Sequence, residues 1–215
     1  MESEYEIRVD GRKCQIYHRN DIKTYEVLSP PMEVVYSKLH GSGSMGSRWA
    51  PTLDKAEFYL TLRPFDDRGN AFITYLIELQ RCTFRKWYNE SGPDDNPFLP
   101  HSLPDILATL SPILNSSGTI KVKRKVCRFG TGEIAEIPIW GVNRGHVSID
   151  PIKKMDFKPM TGEDIIRGDR VRTLFTFFPY SFNRRQGISM QLKGVMKIPG
   201  GKVPYEIGMD WSPWA

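Results

Sequence analysis

Short β-forming runs, punctuated by glycine, proline and aspartate, recur along almost the whole chain, and that recurrence limits what it can fold into. Residues 6–9 and 12–17 flank Asp10-Gly11. This predicts a hairpin on a type I′ turn, because Asp-Gly takes the positive φ that such a turn requires. Further alternating or β-rich runs lie at 32–39, 56–63, 119–128, 133–140, 146–150, 170–178 and 188–198. One amphipathic stretch interrupts them. With Asn70 as cap, Phe72, Tyr75, Leu76, Leu79, Thr83 and Trp87 keep the spacing of a single buried helical stripe, which ends near Ser91-Gly92-Pro93. A breaker-rich loop at 94–100 leads into a short helix capped by Ser102, with Pro104 in its first turn, running to about Leu110. No repeat, low-complexity tract or linker divides the 215 residues, so 1–215 reads as one domain, with the hairpin 5–18 and the tail 199–215 peripheral. The pattern predicts a mainly β protein: a small barrel of antiparallel strands, closed or half-closed, with one long helix and long loops.

Composition removes several classes. With 40% hydrophobic and 26% charged residues the chain is neither disordered nor collagen-like, and no run approaches the ~18 apolar residues of a membrane helix. No membrane partner is expected. The acidic start Met1-Glu-Ser-Glu-Tyr-Glu lacks the features of a signal peptide, so an intracellular location is expected, and Cys14, Cys82 and Cys127 are expected as reduced thiols. Gly41-Ser-Gly43-Ser-Met-Gly46 spells a nucleotide-binding fingerprint, but Pro51 and the strand-like run from Ala56 leave no helix to face a phosphate, so it reads as a surface loop. His18, His40, His101 and His146 stand alone, and the pairs Asp66-Asp67 and Asp94-Asp95 sit at turn-like positions. No nucleophile motif is present. We therefore expect no enzyme, no catalytic residue, no metal site and no cofactor.

Charge is unevenly placed. Residues 119–130 carry net +5 and residues 167–202 net +7, while the other 167 residues carry 17 basic and 24 acidic side chains. Such segregation suits a polyanion, since Lys and Arg gain affinity by neutralising phosphates. Strand alternation turns the basic windows into surfaces. Lys121, Lys123 and Lys125 share one face, with Ile120, Val122, Val126 and the misfit Arg124 on the other. A four-residue loop at 129–132 would pair Val126 with Ala135, Val122 with Ile139, Lys125 with Glu136 and Lys121 with Trp140, placing Trp140 among three lysines, with Arg128 of the same basic window a further candidate contact. In the second window Val171, Phe175 and Phe177 face one side and Arg170 and Arg172 the other. Ile188, Met190, Leu192, Met196 and Ile198 alternate with Gln191, Lys193 and Lys197. Tyr180, Phe182, Arg184 and Arg185 fill the expected loop between.

Cations along a sheet face with exposed aromatics form the physical pattern of single-stranded nucleic-acid binding, in which charges track the backbone and rings stack bases. Phe175 and Phe177 are expected in the core. Trp140, Tyr180 and Phe182 are candidates either for stacking or for packing. No helix carries a pattern suited to reading a major groove.

Ser29-Pro-Pro-Met32, the run 55–62, the helix 72–87, the basic strand 120–126, and finally Gly168-Asp-Arg-Val171 with Gly187-Ile-Ser-Met-Gln-Leu-Lys-Gly-Val195 follow one another along the chain. Together they resemble the OB-fold single-stranded-DNA-binding proteins of large double-stranded DNA viruses, which are similar to those of some podophages. The resemblance spans most of 29–198 and implies an OB-like barrel that coats single strands in viral DNA replication, recombination or repair. It further implies single-stranded DNA, or RNA, as partner, together with replication proteins and a second copy of the chain, in the viral replication compartment of a host cell or in the virion. The phage relatives end in a strongly acidic tail, whereas residues 206–215 hold two acids and two tryptophans. A viral structural or nucleocapsid-type β protein, using the same basic face for packaging, is the competing reading.

Overall fold

The two longest strands form one hairpin, and the rest of the sheet is arranged around it. The computed structural model describes residues 4–127, 132–142, 157–182 and 185–198. Twelve elements are used below: β1 (Tyr5–Asp10), β2 (Lys13–His18), β3 (Glu26–Leu28), β4 (Met32–Lys38), β5 (Glu57–Arg63), α1 (Asp67–Glu90), α2 (Leu103–Ala108), β6 (Ile120–Lys125), β7 (Ile139–Val142), β8 (Phe157–Pro159), β9 (Arg170–Phe182) and β10 (Arg185–Ile198). Arg128, Arg184, the run 146–150 and the tail 199–215 lie outside the described residues.

β9 and β10 pair antiparallel from Arg185↔Phe182 to Ile198↔Arg170, with a register shift between Leu192 and Gly194 that leaves Lys193 as the extra residue. The hairpin is longer than the sequence suggests. Tyr180 and Phe182 belong to β9 and not to a loop, because aromatic residues suit a pleated surface and continue the ladder. Pro179 is tolerated there since, among the described residues, no strand pairs with β9 on its second side beyond Thr176.

From β9 the pairings run in a ring. β9 meets β4 at Val171 and Arg170, β4 pairs β5, β5 pairs β6, β6 meets β10 at two residue pairs, and β10 returns to β9. The expectation of antiparallel strands throughout needs correction: β6 and β7 both run parallel to β10. Long crossovers, not tight turns, join these strands, and a crossover leaves the relative direction open.

The expected β6–β7 hairpin also fails beyond its base. Cys127 bridges Ile134 and the Ala135 N–H donates to the Val126 carbonyl at 2.6 Å, in the predicted register. Pairing stops there because β5 occupies one edge of β6 over six residue pairs and β10 takes the other. β7 is diverted onto β10, where Ile139 lies opposite Val195 and Trp140 opposite Met196.

The cap of α1 lies four residues before the expected one, Asn70. Asp66 is the N-cap, accepting from the Gly69 N–H at 2.8 Å, and Gly69 sits where an added Cβ would lie 2.8 Å from the Pro64 Cβ. Its buried side carries Ile73, Leu76, Leu79, Thr83, Phe84 and Trp87. α2 has the expected Ser102 cap, reinforced by Asp105 in a capping box, but ends at Ala108. In the β1–β2 hairpin Asp10 pairs with Lys13, so the turn is Gly11-Arg12 with Gly11 at φ +52°, one residue later than predicted. One core joins these parts: Ile16 of β2, Met32 and Val34 of β4, Leu60 and Leu62 of β5, Leu76 of α1, Val122 of β6, Phe175 of β9 and Leu192 of β10 are all essentially inaccessible. Each such side chain contributes about 1.5–3 kcal/mol by leaving water.

Candidate nucleic-acid interface

Burial of alternate residues decides which side chains face out. Phe58, Leu60 and Leu62 are buried on β5, and Ile120 and Val122 on β6. Glu57, Tyr59 and Thr61 therefore share the outer face with Lys121, Lys123 and Lys125. Lys121 lies opposite Thr61, Lys123 opposite Tyr59 and Lys125 opposite Glu57. The three lysines stand in one row, as alternation predicts. On β4 a register shift between Val34 and Tyr36 puts Tyr36 opposite Thr61 and Lys38 opposite Tyr59, on the same face. Across the parallel seam Gln191 lies beside Lys123, and Gln191 and Ser189 in turn lie opposite Thr176 and Phe178. Tyr180 and Phe182 follow at alternate positions of β9.

Rings and charges interleave on this face. Tyr59 stacks on Tyr36 with centroids 5.5 Å apart and planes 15° from parallel, and the Lys121 Nζ stands 4.1 Å from the Tyr59 centroid. Partial burial lowers the Lys121 pKa, against the attraction of Glu57 and with the help of Lys123. Burial, and after it the neighbouring Tyr36, raises that of Tyr59. Lys123 donates to the Glu57 Oε1 at 2.9 Å, and the Lys125 Nζ is 3.9 Å from the same oxygen. Phe178 is 61% exposed and Phe182 73%, so ring faces are open to a ligand. Phe175 and Phe177 are buried, as expected.

A cleft of about 540 Å³ opens between the lysine row and β9, walled by Lys121, Lys123, Phe178, Tyr180 and the segment around Ser111. The Tyr180 hydroxyl donates to the Ser111 Oγ at 3.1 Å, which fixes its ring at the edge of the cleft. Gly187 lies opposite, where a Cβ would come within 3.0 Å of both the Tyr180 oxygen and the Ser111 Cβ. Phe182 lies further along and lines a second cleft of about 500 Å³ beside Phe98 and His101.

The other predicted site residues are spread over the molecule. Trp140 is not among the lysines: the diversion of β7 sets it between Met196 and Pro159. Arg170 and Arg172 sit at the far end of β9, roughly 20–26 Å along the strand from Phe178. There Arg170 lies over the Phe65 ring at 4.3 Å and the Arg172 Nε donates to the Ser29 carbonyl at 2.8 Å. Lys197 is held at 2.7 Å by the Asp169 carboxylate and at 2.7 Å by the Asp164 carbonyl, contacts that make it a structural cation. Arg185 is exposed opposite Phe182, and Lys193 occupies the bulge of β10. Tyr36, Lys38, Tyr59 and Phe178 join the face without having been singled out from sequence. Alternation from Phe58 and Leu60 already turns Tyr59 outward, and alternation from Phe175 and Phe177 does the same for Phe178. Tyr36 and Lys38 depend on the register shift, which leaves no local signal. Among the described residues no three His, Cys, Asp or Glu side chains come together in a way that could hold a metal ion.

No protein-family model and no curated protein sequence matches the chain. Solved structures do. The chain is similar to the single-stranded DNA-binding protein of bacteriophage Enc34, at 10% identity with 95% of this chain and 97% of that one covered and a TM-score of 0.46. It is also similar to gp2.5, a single-stranded DNA-binding protein encoded by bacteriophage T7, at 16% identity with 89% of this chain and 97% of that one covered and a TM-score of 0.51, a likeness of overall fold.

Proposed function

We propose that the chain binds single-stranded DNA, independently of sequence, through the outer face of β4, β5, β6 and β9. The observation that carries this reading is the cleft in which Lys121 and Lys123 stand across from Phe178 and Tyr180. Cations on one wall suit a phosphate backbone, and rings on the other suit unstacked bases. A duplex keeps its bases paired and stacked, so its ring faces are not free for that second wall. The likeness of fold to gp2.5 of bacteriophage T7, a single-stranded DNA-binding protein, supports the reading. On it, the ring β4–β5–β6–β10–β9 is an OB-like barrel, a five-stranded architecture that other proteins use for oligonucleotides, and 1–215 is a single domain.

The proposed role is protection of single strands in viral DNA replication, recombination or repair, without enzymatic activity. Replication proteins and a second copy of the chain are its proposed partners, in the replication compartment of an infected cell. Titration of the full chain with labelled single-stranded DNA, RNA and duplex of equal length, followed by light scattering, tests this. Tight binding to single strands that weakens steeply with salt is expected. Equal affinity for duplex would overturn the reading, and growth of large regular particles would favour a packaging protein instead.

A further inference from the structure

The outer face carries one carboxylate inside its row of lysines, and polyanion binding alone gives it no purpose. The Glu57 Oε1 accepts from the Lys123 Nζ at 2.9 Å and lies 3.9 Å from the Lys125 Nζ. Its side chain is 21% exposed, against 41% and 57% for the two lysines, so it sits beneath them. Its backbone is clamped as well. The Glu57 N–H donates to the Ser44 Oγ at 2.9 Å, and its carbonyl accepts from the Ser44 N–H at 3.0 Å. A phosphate oxygen arriving at Lys123 would seek the donor that this carboxylate already occupies, while the Lys125 Nζ donates to the Lys55 carbonyl at 3.3 Å and meets Glu57 through charge alone.

We infer that Glu57 is the resident counter-anion of the lysine row and sets its preference for single strands over duplex. This rests on the single-strand-binding reading. In the free protein Glu57 holds Lys123 by a hydrogen bond and balances the charge of Lys125. A bound strand displaces it from them, and its charge remains beneath the phosphates. That opposes every polyanion, and a duplex most, because both of its strands contribute charge, one per ~1.7 Å of axis. Single strands recover the loss through base stacking on Tyr36, Phe178 and Phe182, which a duplex cannot match. Glu57 thereby converts a general polyanion surface into a selective one.

The test is Glu57→Gln in the full chain. Wild type and Glu78→Gln are the references; Glu78 pairs with Arg81 at 3.1 Å on the exposed side of α1, away from the lysine row, and controls for net charge. Anisotropy titrations with labelled single-stranded and duplex oligonucleotides are run over a salt series, with thermal melts. The inference expects Glu57→Gln to tighten single-strand binding about threefold and duplex binding about tenfold, with a single-strand salt slope steeper by about 0.7, one further contact. Glu57→Ala should give the same order if the amide variant folds poorly. Unchanged or weaker binding by both variants, or an equal gain from Glu78→Gln, would overturn the inference while wild-type binding left the functional reading standing. Absence of single-strand binding by wild type would overturn both.

Discussion

Replacing Lys121, Lys123 and Lys125 together by alanine separates binding from folding most cleanly. Each phosphate contact on a single strand contributes about 0.7 to the slope of log K against log salt. Glu57 already neutralises about one of the three charges, which leaves roughly two net contacts and a slope flatter by about 1.4 in the variant. Over a fourfold rise in salt the wild type should therefore lose about sevenfold more affinity than the variant. Stability should change little. Ile120, Val122 and Val126, the buried residues of this segment, are untouched. The exposed pairs with Glu57 contribute at most about 1 kcal/mol each, and the Lys121 contact with Tyr59 about 0.5–1 kcal/mol. A fall in melting temperature of no more than about 12 °C follows for a chain of this size. Anisotropy titration at several salt concentrations, with melting followed by circular dichroism, measures both quantities. A variant with the wild-type slope would show that the row does not meet phosphates, and a variant that failed to melt cooperatively would show that the lysines do not face solvent.

Neighbouring phenylalanines should behave oppositely. Phe178→Ala should cost about 1–3 kcal/mol of single-strand affinity with the salt slope kept, whereas Phe177→Ala should cost about 3–5 kcal/mol of folding stability, read from urea unfolding. Gly43→Ala should destabilise by about 1–3 kcal/mol, because Gly43 has φ +58° and an added Cβ would lie 2.6 Å from the Glu57 carbonyl oxygen. Gly41→Ala, with φ +59° and open space around it, should cost less in the same urea assay. Burial pushes the Cys14 thiol up to about 12, and Cys82 is exposed. In the native protein at neutral pH a thiol reagent should label Cys82 within minutes and Cys14 only on unfolding, as read by peptide mass; rapid labelling of Cys14 would place β2 outside the core.

What could be read from the sequence was what neighbours along the chain decide. Alternation found the lysine row and the buried side of β6, and it found both arms of the β9–β10 hairpin. It misjudged where that hairpin turns, since Tyr180 and Phe182 look equally at home in a loop beside two arginines. The start of α1 shows the same limit. Asp66 and Asn70 are both good caps, and the choice falls to Asp66 because Gly69 packs against Pro64, a contact that lets the helix begin earlier. Competition for strand edges was out of reach. Val126 and Ala135 meet in the register the side chains favour, yet β5 and β10 already hold both edges of β6, so Trp140 goes to β10.

The interface follows from that competition. Its charges lie close together on one strand, where a window of sequence can find them. Its rings arrive from β4, β5 and β9, through an antiparallel pairing with a register shift and through a parallel seam of two residue pairs. Because the seam sets Gln191 beside Lys123, it also fixes Phe178 across the cleft from the lysines. A slip of one residue there would turn Phe178 inward and Phe177 outward, exchanging a binding ring for a core ring. The tight packing of Phe175, Phe177 and Leu192 in the core thus holds the binding face in register.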